Sequence, residues 1–204
     1  MRRSLALLLL TQCAALAVII DRIAIIVGNS IVKDSDIDRD LRVTDFLNGQ
    51  PLDLGNAARK KAASRLIDQV FIRREIRIGD YATATLEEAD QQLDDLKKQR
   101  FKTNVAFEES IRRYGLTELD LRTQFQWQLT VLRFIDVRFK PAVLVTADEV
   151  ATYYRAHPGK ASLDAMRDKI RDILTGERVN KLFFAWLDEQ RKDVKIRFRE
   201  ENLG

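Results

Sequence analysis

Cysteine is almost missing from this chain. Its 204 residues include one, Cys13, close to the N-terminus. The body beyond it can form no internal disulfide and offers no thiol nucleophile, so packing must stabilise it. Histidine is equally scarce. The single His157 stands beside Pro158-Gly159, where a solvated turn residue is the simpler reading than a ligand. No zinc spacing and no Gly-rich phosphate loop occurs. With 3 prolines and 8 glycines the chain has few helix breakers, and Leu, Ala, Arg, Asp and Glu fill it instead, a composition that favours helix. Aromatics make up 8% and charged residues 32%, which excludes both a disordered chain and an integral membrane bundle.

Neither sign of charge dominates. There are 35 basic and 31 acidic residues, a net +4 to which Arg2 and Arg3 contribute. The basic clusters Arg59-Lys60-Lys61, Arg73-Arg74 and Lys97-Lys98 with Arg100 are interleaved with acids. They read as solvated helix faces, not as a nucleic-acid surface. Asp94-Asp95 beside Lys97-Lys98 likewise reads as surface ion pairs and not as an acid–base dyad.

The N-terminus is a targeting segment. Arg2-Arg3 form a positive start, residues 4–20 are uncharged, and Ala15-Leu16-Ala17 is an A-x-A site, so residues 1–17 are expected to be a signal peptide cut after Ala17. Two other outcomes stay open. Leu10-Thr11-Gln12-Cys13 faintly resembles a lipoprotein box, with Gln12 in place of a small residue. The uncharged run also reaches the low edge of a membrane span, which would leave an anchor. All three place the body, 18–204, outside the cytoplasm, and membrane contact follows only if the segment is retained.

The body opens with an apolar hairpin. Ile23-Ala24-Ile25-Ile26-Val27 and Ile31-Val32 flank the turn residues Gly28-Asn29-Ser30, and Asp34 or Ser35 is then placed to cap a helix over 36–47. Further helices are expected over 55–78, from Thr85 to about 101, from Thr103 or Asn104 to Tyr114-Gly115, and over 118–139 up to Pro141. A brief helix follows Thr146. The last long one runs from Ser162 to about 192, with Gly176 as a possible kink. Thr85-Leu86-Glu87-Glu88 is a capping box. On the second helix Ala58, Ala62, Leu66, Val70 and Phe71 share a face, with Ile67 and Ile76 beside it. Val194-Lys195-Ile196-Arg197-Phe198 alternates like an exposed strand. A lone strand needs an edge, so 194–198 is expected to pair with the hairpin and bring the two chain ends together. The fold class is therefore mainly α: a multi-helix cradle with a small sheet made by an N-terminal hairpin and a C-terminal strand. Residues 18–156 and 162–204 complete one module.

Helix 118–139 carries two stripes: Leu121, Phe125, Leu129, Leu132 and Ile135, then Trp127, Val131 and Phe134. The last helix carries Met166, Ile170, Ile173, Leu174, Leu182, Phe183, Trp186 and Leu187. The plain reading is two central helices buried on several sides. The sharper one leaves part of this surface open as an apolar groove, with Trp127 and Phe134 in it and Phe101 and Phe107 at its rim.

Residues 20–41, IDRIAIIVGNSIVKDSDIDRDL, resemble the start of the mature SurA-type periplasmic chaperones. The resemblance continues through ARKKAASRLIDQVFIRREIRIG at 58–79, T-E-L-D-L-R at 117–122 with Gln124, V-T-A-D-E-V at 145–150, and FFAWLDEQRKDVKIRF at 183–198. It implies a cradle that holds unfolded polypeptide clients, outer-membrane barrel proteins above all, without ATP or any cofactor. In that family a parvulin-type prolyl isomerase module, built around a pair of histidines, sits between the V-T-x-x-E-V helix and the final helix. Here only 157–161 lie between them, and the chain has one histidine. The expectation is thus a periplasmic holdase core without catalytic residues or metal. The alternatives are an adaptor for one fixed partner and, behind it, a prolyl isomerase.

Overall fold

The computed structural model describes residues 21–157, 161–199 and 203. The targeting segment 1–17, with Cys13 and the site after Ala17, lies outside the described residues, as does the Pro158-Gly159 turn. Strands β1 (Ile23–Val27) and β2 (Ser30–Lys33) form the hairpin, joined through Gly28 at φ 58°, a conformation glycine takes at low cost. Strand β3 (Ile196–Phe198) pairs antiparallel with the other edge of β1, Ile25 facing Phe198 and Val27 facing Ile196. The order is β2-β1-β3, so the two chain ends do meet in one sheet. The strand is shorter than the expected 194–198. Val194 and Lys195 lead into it, with Gly28 N–H donating to the Lys195 carbonyl at 3.0 Å, and Arg199 N–H closes it on the Ala24 carbonyl at 2.8 Å.

The helices are α1 (Asp34–Asn48), α2 (Asn56–Ile78), α3 (Leu86–Arg100), α4 (Asn104–Arg113), α5 (Glu118–Arg138), α6 (Ala147–Ala156) and α7 (Leu163–Asp193), with a 3-10 turn at Lys140–Ala142 after α5. Thr85, Thr117 and Thr146 each accept from the amide three residues on, and Glu88, Asp120 and Glu149 return the bond. Such caps contribute about 1 kcal/mol apiece. Helix α1 starts differently from expectation. Asp34 is its first residue and does not cap it. Instead Asp21 reaches across the hairpin and accepts from the Ser35 amide at 3.3 Å and its hydroxyl at 2.6 Å, while Asp36 accepts from the Lys33 amide at 2.9 Å. Helix α7 passes through Gly176 as one uninterrupted element.

Two apolar clusters share α1 and α5. The larger joins the sheet (Ala24, Ile25, Val27, Val32) to Ile37 and Leu41 of α1, Ile67 and Phe71 of α2, Phe134 of α5, and Phe183 and Leu187 of α7. Phe134 is fully enclosed, edge-on to Tyr81 at 5.1 Å and Phe139 at 5.8 Å and tilted against Trp186 at 5.6 Å. The smaller cluster takes Val43 and Phe46 from the far end of α1, with Leu93, Phe107, Ile111, Leu116 and Leu121. Leu132, which shares a sequence stripe with Leu121, is 60% exposed. Among the described residues no helix is long and apolar enough to cross a membrane.

Helix α6 packs on α7, and each buries an apolar residue, Val150 and Ile170. Arg178 fastens the pair, bonding the Glu149 carboxylate and the Leu144 carbonyl. The Arg178 hydrogen bond, helped by the Thr146 amide, draws the Glu149 pKa down from 4.5 to about 2. A depressed carboxylate stabilises the fold above its unfolded pKa, and that contribution fades as pH falls through the folded value. In an NMR titration the Glu149 carboxyl should stay ionised to about pH 2 and return toward 4.5 in Arg178→Met. A wild-type midpoint near 4.5 would mean that the clasp does not form.

Candidate functional site

The helices that build the core are wide amphipaths, and each has a second face beside its buried one. On α1 that face is Asp36, Arg39, Asp40 and Val43; on α2 it is Leu66, Gln69, Val70 and Arg73. Both follow helical spacing, i, i+3, i+4, i+7. With Ile31 and Val32 of β2 and Leu119, Asp120, Thr123 and Gln124 of α5, they enclose an open crevice of about 500 Å³. Helix α1 packs against both α2 and α5, so it forms the floor between two walls. Ile31 and Leu119 stand at the mouth, 50% and 61% exposed. A second cavity of about 330 Å³ continues along α5, lined by Ile76, Thr83, Gln126, Trp127 and Thr130. Arg73 and Thr123 belong to both, so the two are one groove.

Charge in the groove is mostly paired. Arg39 Nε lies 3.4 Å from Asp120, which also accepts from the Thr117 amide at 2.8 Å. Arg65 bonds Asp40 through Nε at 3.0 Å. Burial raises the Asp40 pKa, against the pull of Arg65. Arg73 is different. Its guanidinium carbon sits 3.8 Å from the Trp127 ring centroid, a cation–π contact. Partial burial lowers its pKa, with Asp36 pulling the other way.

The far end of the groove is fixed by a closed polar circuit. Ala84 N–H donates to Thr130 Oγ1 at 2.9 Å, Thr130 Oγ1 donates to the Gln126 carbonyl at 2.8 Å, and Gln126 Nε2 donates to the Ala84 carbonyl at 3.0 Å. Thr130 is buried, so the circuit satisfies groups that water cannot reach and pins the α2–α3 connection to α5.

Of the four groove candidates from sequence, one lies here. Trp127 is half-buried in the second cavity. Phe134 and Phe107 are fully enclosed, each in a core cluster, and expose nothing to a guest. Phe101 is half-buried on the α3–α4 side, stacked on Phe46 at 6.3 Å and edge-on to Phe107 at 5.4 Å. An aromatic stripe marks buried surface without telling core from groove, and these three lie outside the lining of either cavity. The apolar groove residues left partly open that sequence reasoning did not select are Ile31, Leu66, Val70 and Leu119, beside buried Val32, Val43 and Ile76. Leu119 carried a signal, since it lies off the Leu121 stripe on the same helix. His157 is exposed and stacks on Tyr153 at 4.3 Å. Among the described residues no group of His, Cys, Asp and Glu is arranged to hold a metal ion.

Thr130→Val keeps the shape but leaves the Ala84 amide without its acceptor. Urea unfolding should show a loss of about 1–3 kcal/mol, and the Ala84 amide should exchange faster with solvent. Unchanged exchange at Ala84 would contradict the clamp.

No family model matches the chain. It is 27% identical over 166 residues to Chaperone SurA of Pseudomonas aeruginosa, an alignment that takes in 78% of this chain. The chain spans 38% of the length of that relative, so what the two share is a distant likeness to part of a chaperone.

Proposed function

We propose that the chain is a periplasmic holdase, binding unfolded outer-membrane barrel proteins or secreted proteins in the groove between α2 and α5 and releasing them without ATP. The observation that carries this reading is the groove itself: apolar Ile31, Leu66, Val70 and Leu119 stand open between paired charges, on three elements held apart by a common floor. The likeness to a chaperone supports it, and the signal-like N-terminus supports the compartment. Such a surface suits the task. An unfolded barrel strand is extended and rich in apolar side chains, and a shallow groove shields it without enclosing it. Micromolar affinity requires about 8 kcal/mol net, and rapid release follows from so modest a value.

Helix α6 ends at Ala156 and α7 begins at Leu163, which leaves no room for a folded isomerase module between them. The reading is therefore of a binder and not an enzyme.

In an aggregation assay with a urea-unfolded outer-membrane barrel protein, a few-fold excess of the chain should suppress light scattering. Ile31→Asp with Leu119→Asp, both at exposed positions of the groove, should weaken client binding about tenfold, or about 1.4 kcal/mol. Leu132→Asp, equally exposed but outside the groove, should not. Absence of suppression, with a single stoichiometric partner recovered from periplasm, would replace the holdase with an adaptor. A proline-peptide isomerisation rate above background would overturn the non-enzymatic reading.

A further inference from the structure

Several arginines along α1, α2 and α5 bond carboxylates; among the described residues Arg42, Arg73, Arg74 and Arg77 of these helices do not, and of these four only Arg73 lines the groove. Arg59 bonds Asp34 and Asp38, Arg65 bonds Asp40, Arg39 bonds Asp120, Arg122 bonds Asp90 and Arg138 bonds Glu75. Arg73 has no carboxylate at ion-pair distance among the described residues, although Asp36 lies in the same groove. Its neighbour Arg74 turns to the other side of α2 and donates to Gln190 at 3.1 Å. Arg73 instead stays over the Trp127 ring, where the two cavities join, with Leu66 and Val70 on one side and Ile76 on the other. A guanidinium offers five N–H donors in a planar fork that matches a carboxylate in two parallel bonds. Trp127 contributes a face to hold that fork and no acceptor to occupy it.

We propose that Arg73 is the specificity-determining anchor of the groove, taking a carboxylate flanked by apolar side chains in the bound polypeptide. The carboxylate replaces water on the guanidinium, and the apolar neighbours enter the cavities on either side. This rests on the polypeptide-binding reading above. It adds a polar selection rule to a surface otherwise chosen by apolar contact. The carboxylate has two possible sources, the C-terminus of a client or an internal Asp or Glu side chain.

The test uses the full chain and three fluorescein-labelled peptides of one apolar sequence, followed by fluorescence polarisation. One ends in a free carboxylate, the second in an amide with one internal Glu, the third in an amide with Gln at that place. The expected result is that the first or second binds about tenfold more tightly than the third, and that Arg73→Gln removes the gap. Arg73→Lys, which keeps the charge and loses the fork, should retain part of it. Tighter binding of the first peptide assigns the site to a chain end; tighter binding of the second assigns it to an acidic side chain. Equal affinity for all three would overturn the anchor and leave the holdase reading standing. No binding of any peptide, together with no suppression of aggregation, would overturn both. Unchanged circular dichroism and melting temperature of Arg73→Gln confirm that a lost gap reflects recognition and not unfolding.

Discussion

The pairing of β1 on both edges is the constraint from which the rest of this fold follows. A two-stranded hairpin is marginal in water, and here the missing third strand comes from the far end of the chain. To deliver it, α7 must run back along the body, and that course brings Val179, Phe183 and Leu187 into the same apolar cluster as the sheet residues and Phe134. The turn at Gly28 is pressed close to the returning chain: a Cβ there would meet the Val194 side chain at 3.2 Å. The strand that closes the sheet and the buried α7 face thus belong to one continuous stretch of chain.

The groove is a consequence of how α1 is shared. Its first half packs into the large cluster through Ile37 and Leu41, its second half into the small one through Val43 and Phe46. Because α1 serves both, α2 and α5 each lean on it and are kept from closing on one another along the crevice. Each reaches the main cluster, α2 through Phe71 and α5 through Phe134. The Thr130–Gln126–Ala84 circuit fixes the segment that crosses between them. Apolar surface is left open here because the helices are tied elsewhere, and the ion pairs of Asp40 and Asp120 balance the charge along the walls.

Local chemistry was legible in the sequence and long-range chemistry was not. The Thr85, Thr117 and Thr146 helix starts are written within four residues, so the sequence placed them well. The cap of α1 comes from Asp21, far outside any such window, and Asp34 and Ser35 next to the helix were the natural but mistaken choice. The union of the two chain ends was readable because an alternating strand has to find an edge. The 3-10 turn after α5 had only Pro141 to announce it. Phe107 and Phe134 look in sequence like Trp127, since stripe periodicity reports burial and says nothing of what does the burying. Arg73 and Arg74 read as one solvated basic pair. One residue step around α2 sends the first into the groove and the second to α7.

Site-specific photo-crosslinking tests the groove most directly. A benzophenone side chain is placed at Thr123, inside the groove on α5, or at Gln128, exposed on the same helix and outside the lining of either cavity. With an unfolded outer-membrane barrel protein present, irradiation should give a client adduct from Thr123 and little from Gln128. Equal adducts from both positions, or adducts from Gln128 alone, would contradict the assignment of client binding to this surface.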